Sequence, residues 1–233
     1  MSGVAARLAA LRERIGAAAR RAGRDPAAVR LVGAAKRQPV AIVAEAVRAG
    51  LRDLGENYVQ EAVAMRAALA AALDPAVAGA IVWHGIGHLQ RNKARDAIAC
   101  FEWLHGVDDA RLAADLSKHA GRTGRACTVL LQLNLSGEAS KSGVTEAELP
   151  ALLDAVRGVP HLRVAGLMTM PAPAPDPERS RPAFARLRAL AERHGLPELS
   201  MGMSDDFEVA VEEGATLVRI GTALFGERPR EAT

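Results

Sequence analysis

The chain has 233 residues, of which 49% are hydrophobic, 24% are charged and 3% are aromatic, and its formal net charge is +3. This usage is ordinary for a globular protein and excludes a disordered chain. The scarcity of aromatic residues and of basic runs argues against nucleic acid as a partner, and no apolar run reaches the roughly 18 residues of a membrane-spanning helix.

The first half of the chain predicts one helix followed by alternating strands and helices. The first helix covers about residues 3–22, where Leu8, Leu11 and Ile15 fall on one stripe. The strands that follow are predicted at 31–35, 52–54, 81–84 and 102–105. The helices between them are predicted at 39–49, 58–72 and 91–99.

The second half of the chain repeats this alternation. Its helices are predicted at 108–120, 145–157, 178–194, 205–213 and 222–225. Its strands are predicted at 126–135, 162–168, 199–201 and 217–220. Asp108 is the predicted N-cap of the helix at 108–120, and Thr145 with Glu148 forms a capping box.

Eight strands that alternate with helices indicate an α/β protein with a parallel sheet. Eight such units in a chain of this length are typical of a single (β/α)8 TIM-type barrel, here with an extra N-terminal helix. A doubly wound open sheet is the alternative, because several predicted strands have only three or four residues. No segment has a linker composition, so we expect one domain over residues 1–233, with the barrel at about 30–228.

The start of the chain and its cysteines indicate the compartment. Arginines interrupt the first 16 residues, which therefore lack the apolar stretch of a secretory signal. Cys100 and Cys127 form neither a disulfide framework nor a metal-binding spacing. We expect a cytoplasmic protein in a reducing environment, with no membrane partner.

Lys36 stands at the end of the first predicted strand, directly after the apolar run 31–35. Only four of the 30 basic residues are lysines, and functional side chains of a barrel lie at the C-terminal ends of its strands. Desolvation at an apolar barrel mouth favours the neutral amine, which can form a Schiff base. The alternative is a strand-end lysine that reaches solvent.

The segments after the seventh and eighth strands carry the residues of a phosphate site. Ser204 and Thr222 each offer a hydroxyl at a predicted helix start, and Gly221 lets the backbone approach an anion closely. Helix capping alone would also explain Ser204. Arg219 has apolar neighbours in the last strand and is predicted to point into the barrel, where a buried guanidinium needs an acceptor.

A lysine amine, a phosphate site and an inward arginine together suggest an aldehyde cofactor that carries a phosphate, such as pyridoxal 5'-phosphate (PLP). A cofactor-free Schiff-base aldolase or lyase would share the lysine and the phosphate site. A metal hydrolase built on His84 and His88 is a third alternative. Their spacing suits a metal ion only on a helix, whereas they flank a glycine-rich turn, so we predict no metal site.

Six segments of the chain stand in a fixed order and carry these residues: LVGAAKRQP (31–39), DLGENYVQE (53–61), WHGIGHLQRNK (83–93), QLNLSGEASKSG (132–143), GLMTM (166–170) and LSMGMSDDFEVAVEEGATLVRIGTALFGER (199–228). In this order they resemble the pyridoxal phosphate homeostasis protein family, a PLP-binding barrel related to the N-terminal domain of alanine racemase. The resemblance covers roughly residues 5–228.

The resemblance implies a role for each matched position. Lys36 would hold PLP as an internal aldimine. Ser204, Gly221 and Thr222 would bind the phosphate of PLP. Arg219 would face the pyridine nitrogen, which would stay unprotonated because an arginine keeps its own proton.

Three further positions, Asn57, His84 and Ser200, would line the pocket. The related racemases take a tyrosine base from a second domain, whereas the single tyrosine here is Tyr58, at the start of the second βα helix. The resemblance therefore implies a PLP carrier or buffer in vitamin B6 and amino-acid homeostasis, with no catalytic residues. The alternative is a weak PLP-dependent racemase or another PLP enzyme.

The implied partners are PLP and apo forms of PLP-dependent enzymes as recipients, and we expect a monomer. The polar segment 137–143 is predicted to lie over the barrel mouth. Its lysine, Lys141, is a candidate for accepting or passing on PLP.

Overall fold

The computed structural model describes residues 3–136 and 142–227. The strands within these ranges are β1 (Arg30–Ala34), β2 (Asp53–Glu56), β3 (Val82–Gly85), β4 (Trp103–Val107), β5 (Cys127–Leu133), β6 (Leu162–Thr169), β7 (Glu198–Ser200) and β8 (Leu217–Ile220). The α-helices within these ranges are α1 (Gly3–Arg21), α2 (Val40–Arg48), α3 (Val59–Ala72), α4 (Pro75–Gly79), α5 (Ala94–Cys100), α6 (Ala110–Thr123), α7 (Leu149–Arg157), α8 (Arg181–Arg193), α9 (Phe207–Glu212) and α10 (Thr222–Phe225).

The strands form a closed barrel in which every pairing is parallel. Each strand pairs with the next one along the chain, and β8 pairs with β1, where Val32 lies opposite Arg219. The predicted (β/α)8 barrel with an extra N-terminal helix is confirmed, and the doubly wound alternative is wrong. Closure brings all eight strand ends to one rim, where a site can be assembled.

Apolar residues pack in two clusters, because successive strand residues point to opposite faces. The larger cluster lies between the strands and the helices and includes Leu54, Leu131 and Phe184. The smaller cluster lies inside the barrel and includes Val32 and Trp103. Burial of these side chains on both faces of the sheet is the main stabilising contribution to the fold.

The N-terminal helix α1 packs on the C-terminal elements of the barrel. Its predicted stripe of Leu8, Leu11 and Ile15 is buried, as the periodicity requires. Arg7 donates a hydrogen bond from Nε to the carbonyl oxygen of Leu224 at 2.7 Å, at the end of α10. The helix therefore anchors the segment that follows β8. No helix within residues 3–136 and 142–227 has the length and apolar character needed to cross a bilayer.

The start of α6 and the presence of α4 differ from the predicted elements. The N-cap of α6 is Asp109, which accepts from the backbone N–H of Arg111 at 3.0 Å, so the prediction of Asp108 is wrong. Asp108 instead accepts from the N–H of Gly143 at 3.0 Å. A short polar side chain can cap a helix or fix a loop, and the sequence alone does not distinguish these uses. The short helix α4 has no counterpart among the predicted elements.

The capping box before α7 has the predicted contacts. The backbone N–H of Thr145 donates to Glu148 Oε2 at 2.8 Å, and the N–H of Glu148 lies 3.4 Å from Thr145 Oγ1. Ser204, in contrast, does not begin a helix, because α9 starts three residues later at Phe207. The hydroxyl of Ser204 is therefore free of a capping role in α9.

Candidate functional site

A cavity of about 320 Å³ opens at the rim formed by the C-terminal ends of the strands. This volume is at the lower end of the range for small-molecule sites. The cavity is lined by Ala34, Lys36, Asn57, Ile86, Gly87, His88, Met170, Met203, Ser204, Asp205, Arg219, Gly221 and Thr222. Six of the eight predicted site residues are in this set.

Lys36 is presented to the cavity by a tight turn at the end of β1. The backbone N–H of Gln38 donates to the carbonyl oxygen of Ala35 at 2.9 Å, which closes the turn around Lys36. Arg37 has φ 57°, a left-handed conformation that is uncommon outside glycine. The chain therefore reverses directly after Lys36, and the half-buried lysine stays at the edge of the apolar barrel interior.

Arg219 forms the floor of the cavity and is buried. Its Nη1 donates to Ser200 Oγ, and its Nη2 donates to the carbonyl oxygen of Thr169 at 3.1 Å. Burial lowers the pKa of Arg219 to about 10, and the charge of Asp206 opposes this shift. Because that pKa lies well above neutrality, the cavity floor carries a positive charge near pH 7.

Ser204, Gly221 and Thr222 form one wall of the cavity. The hydroxyl of Ser204 accepts a hydrogen bond from the backbone N–H of Ala223 at 3.3 Å, which joins the segment after β7 to the start of α10. The first N–H groups of a helix have no partner within the helix and can bind an anion. Within α10, Ala223 donates its N–H to Ser204, and Leu224 donates to the carbonyl oxygen of Gly221, so an anion at this wall would meet the earlier residues Gly221 and Thr222.

The backbone conformation of Gly202 directs the segment that follows β7 toward the cavity. Its φ is +90°, and a Cβ atom at this position would lie 2.5 Å from the Cβ of Ala210 and 3.0 Å from the Cα of Phe207. We expect Gly202→Ala to lower the free energy of unfolding by about 1–3 kcal/mol, since both the backbone conformation and the space disfavour a side chain. Urea unfolding of the variant and the wild type measures this difference.

Gly158→Ala is the matched control for Gly202→Ala. Gly158 has φ −80°, and a Cβ atom there would meet nothing within 4 Å. We expect this variant to unfold at the wild-type urea concentration or slightly above it. Equal destabilisation by the two substitutions would contradict the role given to Gly202.

Two predicted pocket residues, His84 and Ser200, lie beneath the cavity instead of lining it. Both are fully buried, and their side chains bond to other protein groups. His84 contacts Asp53 and His105, and Ser200 contacts His105 and Arg219. The predicted placement of these two residues in the pocket wall is therefore corrected: they support its floor.

The metal hydrolase alternative depends on His84 and His88 acting together. Both ring nitrogens of His84 are engaged, one with Asp53 at 2.9 Å and the other with His105 at 3.0 Å. His88 is exposed and lies 3.7 Å from Asp108. This arrangement leaves His84 without a nitrogen for a metal ion, and the described part of the chain has no group of three or more His, Cys, Asp or Glu residues suited to one.

The cavity is also lined by residues outside the predicted set of cofactor-binding residues: Ile86, Gly87, His88, Met170, Met203 and Asp205. Each of them follows one of the strands β3, β6 and β7, so the position of each strand end was the available signal. The candidate residue Lys141 lies outside the described residues.

The family model described as the alanine racemase N-terminal domain matches residues 6–229. The pyridoxal phosphate homeostasis protein of Pseudomonas aeruginosa is 49% identical over 230 residues, which are 98% of this chain and 97% of the relative. That of Escherichia coli is 42% identical over 233 residues, with 98% of each chain covered.

The chain belongs to the pyridoxal phosphate homeostasis protein family.

Solved structures agree with this family membership. PipY of Synechococcus elongatus with PLP bound is 37% identical with a TM-score of 0.81, over 96% of this chain and 100% of PipY. The structure of PipY without PLP has a TM-score of 0.83. Alanine racemase from Corynebacterium glutamicum is 23% identical with a TM-score of 0.65, over 97% of this chain and 63% of the racemase, which is a likeness of fold alone.

Proposed function

We propose that this protein binds PLP covalently and reversibly through Lys36 and serves as a PLP carrier or buffer in vitamin B6 and amino-acid homeostasis. The observation that carries the proposal is the meeting of Lys36, a buried arginine and a hydroxyl-rich wall in one cavity. The family relatives are named pyridoxal phosphate homeostasis proteins, and PipY binds PLP in its solved structure.

The residues of the cavity fit PLP in chemistry, and the cavity volume of about 320 Å³ lies within the range for small-molecule sites. Lys36 would hold PLP, whose aldehyde supplies a carbon with which a primary amine condenses reversibly, with release of one water. Ser204, Gly221 and Thr222 offer hydroxyl and backbone donors to a phosphate. Arg219 offers a fixed positive donor to a ring nitrogen, and Asn57 offers an amide on the wall that follows β2.

We propose that the protein does not turn over amino acids. A racemase needs a base on each face of the bound substrate. Tyr58 is 58% exposed and lines a neighbouring cavity beside Gln60 and Lys93, and it is not among the residues that line the cavity of Lys36. The PLP-loaded protein, incubated with L-alanine and other amino acids, is expected to leave their enantiomer ratio unchanged in chiral chromatography. Steady turnover that disappears in Lys36→Ala would replace the carrier proposal with an enzyme.

Arg219→Met tests the proposed contact between the cavity floor and PLP. We expect PLP binding to weaken roughly 10- to 150-fold, since a hydrogen bond to a charged group contributes about 1.5–3 kcal/mol. The free energy of unfolding without PLP is expected to stay within about 1 kcal/mol of wild type, because removal of a buried charge offsets the lost bonds to Ser200 and Thr169. Absorbance titration with PLP and urea unfolding measure the two effects.

Arg95→Met is the matched control, since Arg95 is an exposed arginine on α5 that pairs with its neighbour Asp96. It is expected to bind PLP as the wild type does. An Arg219→Met variant that keeps wild-type affinity would remove Arg219 from the proposed site.

A further inference from the structure

A chain of hydrogen bonds runs through the inside of the barrel from one end to the floor of the cavity. It links Asp53, His84, His105, Ser200 and Arg219 in that order. Asp53 Oδ1 lies 2.9 Å from His84 Nε2, and His84 Nδ1 lies 3.0 Å from His105 Nε2. His105 Nδ1 lies 2.8 Å from Ser200 Oγ, which accepts from Arg219.

Five different strands supply these side chains, and each points into the barrel. Asp53 begins β2 at the N-terminal end of the barrel, where Arg30 approaches it to 3.6 Å. Arg219 lies on β8 at the cavity floor. Barrel interiors are usually filled by branched apolar residues, and a buried polar group destabilises the protein unless it is bonded. Packing alone therefore does not explain why a continuous row of hydrogen-bonded polar side chains crosses the barrel interior.

The contacts allow only one assignment of donors and acceptors along this series of hydrogen bonds. Burial lowers the pKa of His84 and of His105, and the neighbouring His84 and Arg219 lower that of His105 further, so both rings are neutral near pH 7. A neutral ring donates from one nitrogen and accepts at the other. Because the Asp53 carboxylate only accepts, His84 carries its proton on Nε2 and accepts at Nδ1.

The same logic continues to the cavity floor. His105 donates from Nε2 to His84 and accepts at Nδ1 from the hydroxyl of Ser200. The oxygen of Ser200 then has its lone pairs free to accept from Arg219. Each donor in this series of hydrogen bonds has one acceptor, and each residue donates toward the aspartate end of the series. The opposite direction would place the unprotonated Nε2 of His84 against the Asp53 carboxylate, so that two acceptors would face each other at 2.9 Å.

We propose that Asp53, His84, His105 and Ser200 are positioning residues that hold the Arg219 guanidinium charged and correctly oriented for the ring nitrogen of bound PLP. Ser200 gives Nη1 a directed acceptor, and the fixed histidines keep the Ser200 hydroxyl turned away from the arginine. The ring of His84 stacks on Trp103 with centroids 5.7 Å apart and an interplanar angle of 24°, which fixes the ring that joins Asp53 to His105. This proposal rests on the proposed function for the identity of the ligand.

The first test is the proton position in the protein without PLP. Nitrogen-15 NMR of histidine-labelled protein near pH 7 is expected to show His84 and His105 as neutral rings protonated on Nε2. Replacement of each histidine in turn by glutamine assigns the signals. A proton on Nδ1 of His105, or a charged ring at either position, overturns the proposed donor-to-acceptor direction of these hydrogen bonds, whether or not PLP binds.

The second test separates positioning from general packing. Ser200→Ala is expected to weaken PLP binding roughly five- to tenfold and to shift the absorption maximum of the bound PLP, since Arg219 loses a directed acceptor. Ser200→Thr keeps the hydroxyl and is expected to restore both properties at least in part. The matched control is Ser117→Ala. Ser117 is another buried serine, on α6, and its hydroxyl donates to the carbonyl oxygen of Pro160 at 2.6 Å.

The outcomes distinguish this proposal from the proposed function. If the wild type takes up no PLP, the proposed function fails, and the NMR result alone decides the donor-to-acceptor direction of the hydrogen bonds. If the wild type takes up PLP but Ser200→Ala matches Ser117→Ala in affinity and spectrum, the positioning role fails while the proposed function stands. If Ser200→Ala does not fold, the NMR measurement on the wild type still decides.

Discussion

Lys36→Ala is expected to abolish covalent binding of PLP. The wild type mixed with PLP should show a visible absorption band, and borohydride should fix PLP on the peptide that contains Lys36. The variant lacks the amine that adds to the aldehyde, so we expect no such band and no mass increase after reduction. Absorbance spectra followed by mass spectrometry of the intact protein and its peptides measure this directly.

The lysine content of the chain supplies the controls. Lys118→Ala removes an exposed lysine on α6 and is expected to bind PLP like the wild type. Lys36→Arg keeps a positive charge at the turn but cannot form the bond, so it should behave like Lys36→Ala. Borohydride fixation at the wild-type level in Lys36→Ala would show that another amine holds PLP and would falsify the assignment of Lys36.

The barrel was predictable because its signal repeats. Each βα unit contributes a short apolar strand and an amphipathic helix. The predicted number of eight units is therefore correct, although most element boundaries are wrong by one to three residues. Strand ends such as Lys36 and Arg219 then identify the rim of the barrel without any three-dimensional information. For the same reason, six of the eight predicted site residues line one cavity.

The depth of a side chain inside the barrel was not predictable. His84 and Ser200 each lie near a strand end, as Lys36 does, but the structure places them one layer lower. Whether an inward residue reaches the cavity depends on the stagger between neighbouring strands, which a single sequence does not reveal. The partnership of Asp53 with His84 joins residues 31 positions apart, so periodicity could not indicate it either.

Glu56 illustrates a second feature that only the structure reveals. It ends β2, is 1% exposed, and its Oε2 has no hydrogen-bond partner among the described residues. Burial raises the pKa of Glu56 to about 8, and the charge of Glu61 adds to this effect. The charge of Lys36 and the backbone N–H of Asn57 act in the opposite direction. The side chain is therefore an acid that stays protonated near pH 7 beside the proposed anchor for PLP.

A raised carboxyl pKa makes the native state less stable as the pH rises. Between pH 4.5, the ordinary value, and about 8, the unfolded chain releases the Glu56 proton while the native protein keeps it. The native state then binds more protons than the unfolded state, so the free energy of unfolding falls with rising pH. At 1.36 kcal/mol per pKa unit, the loss attributable to Glu56 by pH 8 is on the order of 3 to 5 kcal/mol.

Glu56→Gln is expected to remove this loss, because glutamine resembles the protonated acid at every pH. Urea unfolding at pH 5 and at pH 8 should show the variant gaining on the wild type by on the order of 3 kcal/mol between the two conditions. Glu13→Gln, on the exposed face of α1, is the control and should follow the wild type. A difference between Glu56→Gln and wild type that stays constant with pH would contradict the raised pKa.

The substitution at Lys36 provides an independent check on the same carboxyl. Because the charge of Lys36 lowers the pKa of Glu56, Lys36→Ala should raise that pKa further and extend the loss of stability to higher pH, so that the loss between pH 5 and 9 is larger than in the wild type. Combining Lys36→Ala with Glu56→Gln should abolish the extra loss. The two residues then share one electrostatic coupling, in which loss of the Lys36 charge favours the protonated form of Glu56.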